Sequence, residues 1–171
     1  MKKLTILAIT LALSGCLGMP QLVTPVDGFE LNNYLGKWYE IARLDHSFER
    51  GLNQVTAEYS RRDDGGVSVL NRGFSAEKNK WEEAEGRAYF VNEATEGYLK
   101  VSFFGPFFGS YVVFELDQEN YQYAFVSGPN NNYLWLLSRT PTISAEIIDK
   151  FESMSKERGF DTEQLIYVEQ K

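Results

Sequence analysis

From Gly36 onward, apolar and polar positions alternate with a period of two, and clusters of turn-forming residues interrupt the alternation. The pattern predicts strands over 37–45, 54–61, 67–74, 80–91, 97–104, 109–116, 121–127 and 133–138. Asp63-Asp64-Gly65-Gly66 makes a hairpin turn between the second and third of these, and Ala76-Glu77-Lys78-Asn79 joins the next pair. Gly105-Pro106, Asp117-Gln118-Glu119-Asn120 and Gly128-Pro129-Asn130-Asn131-Asn132 mark the later turns. Connections this short make consecutive strands antiparallel neighbours. An eight-stranded meander closes into an up-and-down barrel, which removes both sheet edges. The period then changes to that of a helix. Ser144 can cap it, Ile147, Ile148, Phe151 and Met154 form one apolar stripe, and Gly159 can end it. Its other face carries Glu146, Lys150, Glu152 and Lys156, so the helix suits the outside of a barrel. Leu165 to Val168 read as a short ninth strand. The expected fold class is all-β: an eight-stranded antiparallel up-and-down barrel, one C-terminal α-helix packed outside it, and the ninth strand.

The N-terminus follows another logic. Lys2 and Lys3 precede an uncharged run from Leu4 to Leu13, too short to span a bilayer but suited to a secretory signal. The run ends in Leu13-Ser14-Gly15-Cys16, which resembles the bacterial lipobox. That resemblance implies cleavage before Cys16 and acylation of its sulfur and its new α-amine. Several acyl chains together give a stable membrane anchor. The competing readings are a buried thiol, or ordinary secretion with cleavage near Gly18. With Leu17 rather than Asp next in line, the lipoprotein reading implies the outer membrane, at its periplasmic face. Residues 17 to about 30 lack periodicity and carry Pro20 and Pro25. The expected division is a signal peptide over 1–15, a lipid-anchored tether over 16–30 and one domain over 31–171.

Composition narrows the functions. A formal charge of −7 and a single His argue against a nucleic-acid binder. One Cys excludes an intramolecular disulfide and a multi-cysteine metal centre. No metal, cofactor or catalytic set is expected. His46 has no thiol partner and reads as a solvated loop residue. Glu40 with Glu83 or Glu85 would make a carboxylate pair, but Glu82-Glu83-Ala84-Glu85 reads better as a solvated strand face. The chain's 12 Phe, 10 Tyr and 3 Trp all lie at or after Phe29, where they must fill a core, line a cavity or mark a patch.

Turns of a meander alternate between the two ends of the barrel. Gly36-Lys37-Trp38, the turn from Asp117 to Tyr121, and Arg139 therefore converge at one end, where Arg139 can stack on Trp38. These three segments resemble the three motifs of the lipocalins. Gly36 to Arg43 and Leu137 to Ser144, with Phe103-Phe104-Gly105-Pro106-Phe107, are especially similar to the bacterial outer-membrane branch. The turn departs from the family at Leu116 and Gln118, where Thr and Tyr are usual. The resemblance implies a binding protein whose ligand is a fatty acid or lysophospholipid held in the barrel. Strand phase from Trp38 puts Glu40, Ala42 and Leu44 inside, and phase from Arg139 adds Tyr133, Trp135 and Leu137. Tyr111 and Val113 are the expected contribution of the sixth strand. At the opposite end, the Phe-rich turn at 103–108 suits either a lip around the mouth or ordinary strand packing. An envelope protein with a filled barrel, and less favourably a lipid-modifying enzyme, stay open, as do monomer and homodimer. Cys16→Ser should leave the chain unprocessed or soluble, as membrane fractionation would show; normal processing and normal membrane recovery would refute acylation at this residue.

Overall fold

The computed structural model describes residues 17–171; the expected signal peptide over 1–15 and the expected acylation site Cys16 lie outside the described residues. A short helix, α1 (Leu31–Tyr34), precedes strands β1 (Gly36–Arg43), β2 (Leu52–Arg61), β3 (Val67–Ser75), β4 (Lys80–Phe90), β5 (Tyr98–Phe104), β6 (Phe107–Leu116), β7 (Tyr123–Ser127) and β8 (Leu134–Ser138). Helix α2 (Ala145–Glu157), a 3₁₀ turn at Thr162–Gln164 and β9 (Ile166–Tyr167) complete the chain. Each strand from β2 to β8 pairs antiparallel with the next, and β1 pairs with both β8 and β2, so the eight strands close. The turns predicted from sequence join the strands as expected. The short helix α1 has no apolar repeat to announce it.

Closure is not uniform along β1. Gly36 to Tyr39 pair with Tyr59 to Thr56 of β2, whereas Ala42 and Arg43 pair with Tyr167 and Ile166 of β9. The C-terminal strand thus enters the seam where β1 and β2 part. Gln54 N–H donates to Glu169 O at 2.8 Å, and Gln170 Nε2 donates to Glu40 O and Val55 O, at 2.7 and 2.9 Å. Backbone groups that parting strands would leave unpaired are satisfied in this way.

One end is closed. Trp38 is fully buried, its Nε1 donates to Tyr34 O at 2.8 Å, and the Arg139 guanidinium lies 3.9 Å above its ring. Arg139 also donates to Tyr121 O, Lys37 O and Asn33 O at 3.2, 3.0 and 2.6 Å, tying four chain segments together. Gly36 sits at φ +93°, and a Cβ there would stand 3.5 Å from the Arg139 guanidinium. Tyr121 is buried with φ +54°, held because its N–H donates to Asp117 O and its hydroxyl accepts from Glu30 N–H. The Asp117 carboxylate accepts from the N–H groups of Asn120 and Gln122. Gln118, where the family has Tyr, donates to Asp27 O instead.

A second apolar layer lies outside the barrel. Phe151 of α2 packs edge-on against Phe125, and Phe160 stacks on Phe114. Ile147, Ile148 and Met154 flank this cluster, as the apolar stripe predicts. Gly159, at φ +81°, takes the left-handed conformation that ends the helix. Residues 17–30 are not a free tether. Val23 and Phe29 are buried, Val26 N–H donates to Val113 O, and Gly97 N–H donates to Val26 O. The segment is laid along the wall by backbone hydrogen bonds and isolated apolar contacts, neither of which leaves a periodic signal. Arg139→Ala should lower the unfolding free energy by about 1–3 kcal/mol, through lost stacking and stranded carbonyls; urea denaturation measures it, and an unchanged midpoint would contradict this account of the closed end.

Barrel interior as the candidate functional site

The inward faces carry Trp38, Tyr59, Val67, Val69, Ala88, Leu99, Val113, Ala124, Val126 and Leu137. One wall is built of small residues. Val67 pairs with Ala88, Val69 with Gly86 and Asn71 with Ala84, so these pairs share one face. Ala84 nevertheless is exposed, and inward Ala57, Val101, Phe103, Tyr111 and Trp135 keep part of their surface accessible. Ala57, midway along β2 between Trp38 and Asn71, can keep exposed surface only if the interior opens to solvent. The two grooves of 350 and 210 Å³ lie elsewhere: Glu58, Ser60, Ser68, Leu70 and Glu85 place the larger on the outer sheet face, and Arg87 and Ser102 the smaller.

The predicted lining residues divide. Tyr111, Val113, Trp135 and Leu137 face inward. Ala42 and Leu44 do not; both belong to the outer layer beneath α2. The reason is a β-bulge. Glu40 pairs with Leu137, but Ala42 pairs with Leu136 and Arg43 with Trp135, so one extra residue on β1 reverses its phase. Ala42 therefore does not face Trp135. Tyr133 is a rim residue, stacked between Phe48 and Trp135.

The bulge brings Arg43 inside. Its Nη1 donates to Glu40 Oε1 at 2.6 Å, and its Nη2 donates to Glu49 O and Leu52 O at 2.9 and 3.2 Å. Trp135 Nε1 donates to Glu49 Oε2 at 3.2 Å, and His46 Nε2 lies 3.0 Å from the same oxygen. His46 is thus buried, not solvated, and packs edge-on against Trp135. The interior acid opposite Glu40 is Glu49. Glu83 and Glu85 are exposed, with Glu83 bound to Arg72. Sequence phase missed Arg43 and Glu49 because the bulge and the loop that deliver them depend on distant partners.

Burial, then the charge of Glu49, push the Glu40 carboxyl well above the usual range. Burial also pushes Glu49 up. The hydrogen bond and charge of His46, with donation from Glu40 and Trp135, outweigh that push and leave it lowered. Of the two acids, Glu40 is therefore the more readily protonated. Nearer the closed end, the Tyr111 hydroxyl bridges those of Tyr34 and Tyr59 at 2.7 and 2.9 Å. Burial pushes all three phenols up, so they stay neutral. Arg43 Nε, His46 Nδ1 and Asn71 Oδ1 are buried without a hydrogen-bond partner in the protein, leaving polar atoms for an occupant.

This geometry has known counterparts. A family model described as a Lipocalin-like domain matches residues 29–170. The chain is 72% identical to the outer membrane lipoprotein Blc of Vibrio cholerae over 171 residues, the whole of both proteins. It is 52% identical to the Escherichia coli K12 protein of that name over 151 residues, covering 88% of this chain and 85% of that one. The structure of insecticyanin from the tobacco hornworm Manduca sexta superposes with a TM-score of 0.71 at 23% identity, over 90% of this chain and 87% of that one. The chain belongs to the lipocalin family, in its bacterial outer-membrane lipoprotein branch.

The opposite shifts of Glu40 and Glu49 give a signed pH dependence. Its raised value contributes stability that is complete below the ordinary carboxylate pKa and is lost as pH climbs through the raised value. Glu49 acts oppositely: its contribution is present above the ordinary value and lost as pH falls through the lowered one. Glu40→Gln copies the protonated acid, so its stability relative to the parent should rise between about pH 4 and pH 8. Urea unfolding at both ends of the range measures this, and a pH-independent difference would place the proton elsewhere.

Proposed function

We propose that this lipid-anchored outer-membrane lipocalin binds fatty acids or lysophospholipids, with the acyl chain inside the barrel and the head group near the mouth. The observation that carries the reading is the accessible surface of Ala57, an inward residue set between Trp38 and Asn71, on a wall made of small residues. A filled barrel would bury that position. Ala57, Val101, Phe103 and Trp135, which keep accessible surface on the inward faces, supply the apolar surface an acyl chain needs. Burying several methylenes at about 0.8 kcal/mol each, less the cost of immobilising them, supports roughly micromolar affinity. The interior acids favour binding over catalysis, because Glu40 and Glu49 are tied to Arg43, His46 and Trp135. Those acids also disfavour a deep anion, since a second unpaired carboxylate beside Glu49 would be costly. Outer-membrane placement is supported by the names of the close relatives, and Cys16 by its place after Leu13-Ser14-Gly15.

Lysophospholipid titration should change Trp135 emission saturably, because that ring is half-buried on the inner wall. Ala84→Phe should fill the open space and weaken binding at least about tenfold, with little change in melting temperature. A folded parent protein that binds neither ligand class up to millimolar levels, or an Ala84→Phe variant with full affinity, would refute the placement.

A further inference from the structure

The two ends of the barrel differ in charge and in apolar exposure. The closed-end connections, 27–35, 62–66, 91–97, 117–122 and 139–144, hold eight carboxylates: Asp27, Glu30, Asp63, Asp64, Glu93, Glu96, Asp117 and Glu119. Against them stand only Arg62 and Arg139, with Lys37 and Arg61 at the adjoining strand ends. At the open end, Asp45 pairs with Arg50, Glu49 is buried, and Lys78 pairs with Glu82. The β3–β4 turn adds Glu77, with Lys80 at the adjoining strand end, and the segment from α2 to β9 adds Arg158, Asp161 and Glu163, so this end is only weakly acidic. The open end also carries an apolar rim. Phe48, Phe104 and Phe107 are 67%, 71% and 65% exposed, and Trp81, near the β3–β4 turn, is 46% exposed. Phe103, next to Phe104 in sequence, faces inward, so this hairpin supplies both the wall and the rim.

The chain itself marks where the anchor leaves. Val112 pairs with both Tyr98, at the start of β5, and Ser127, at the end of β7, so the tilt of the strands sets Tyr98 beside the β7–β8 connection. Tyr98 Oη donates to Leu17 O at 2.6 Å, and a Cβ on Gly18 would stand 3.6 Å from Pro129 O. Pro129 lies in the β7–β8 connection at the open end, and Met19 is already packed in the outer layer. A single residue spans at most about 3.6 Å, so an acylated Cys16 cannot hold the barrel away from the bilayer. Leu17 and Leu22, both exposed, lie on this N-terminal segment.

We propose that the barrel stands with its open mouth on the surface of the bilayer that holds its anchor. Phe48, Phe104 and Phe107 enter the interfacial layer, and the acidic closed end faces the aqueous phase. Exposed aromatic and apolar rings favour the head-group region, and anionic phospholipids repel the eight-carboxylate end. Ligand then passes from membrane to barrel without crossing water. The orientation rests on the anchored lipid-binder reading for its anchor, but not for the identity of the ligand.

The test uses the full acylated chain in phosphatidylethanolamine vesicles containing a minority of phosphatidylglycerol. Acylation of Cys16, the one Cys, leaves no competing thiol, so Phe107→Cys and Glu93→Cys can each take a thiol-reactive bimane. Nitroxide-bearing phospholipids should quench the label at 107 several-fold more than the label at 93. Equal quenching, or stronger quenching at 93, overturns the orientation. In a second arm, the double variant Phe104→Ser, Phe107→Ser should take lysophospholipid from vesicles about tenfold more slowly, while its affinity for the same ligand without vesicles stays at the parent value. Unchanged uptake from vesicles also overturns the proposal. Should the parent bind no lysophospholipid in solution, the lipid-binding reading fails, and the quenching contrast still decides the orientation.

Discussion

The stacking of Arg139 on Trp38 is the contact on which the architecture turns. Closing eight strands yields a tube, and a tube has two ends. The guanidinium fills one end and spends its remaining donors on carbonyls from α1, β1 and the β6–β7 turn. An apolar side chain in its place would lose both the stacking on Trp38 and the three hydrogen bonds that tie these segments together. The same contact fixes why Gly36 must be glycine and why Tyr121 holds a left-handed conformation. With that end sealed, a ligand can enter only from the other.

Much of this was legible in the chain. Period-two alternation and five turn clusters gave the strands to within a few residues, because each is set by local chemistry. Convergence of Trp38, Tyr121 and Arg139 needed only the parity of a meander. Parity also led to the error at Ala42 and Leu44. The bulge after Glu40 lies where β1 exchanges β2 for β9, a partner more than a hundred residues away in sequence. No window of local sequence contains that information. The burial of His46 and the pairing of Glu40 with Glu49 were hidden for the same reason, since both follow from the reversed phase that turns Arg43 inward.

The buried charges call for a reason. Apolar replacements of similar shape often match or exceed a buried ion pair in stability. Here the charges also position a loop. Arg43 Nη2 holds the carbonyls of Glu49 and Leu52, while His46 and Trp135 hold the Glu49 carboxylate, so the segment from Leu44 to Gly51 is drawn across the upper interior. An apolar core at this level would release it and change the width of the mouth.

Polarity therefore orders the molecule twice. Inside, neutral tyrosine hydroxyls lie toward the closed end, the acid cluster lies toward the open end, and the valine-rich wall runs between them. An acyl chain gains most in that middle zone, and its charged head loses least at the wet rim. Outside, the ranking of the two ends follows from the same rule: carboxylates need water, and exposed Phe rings need an interface. On the proposed reading, a bound lipid and the barrel that holds it would share one axis, because both would be sorted by the free energy of moving charge and hydrocarbon between water and a low-dielectric phase.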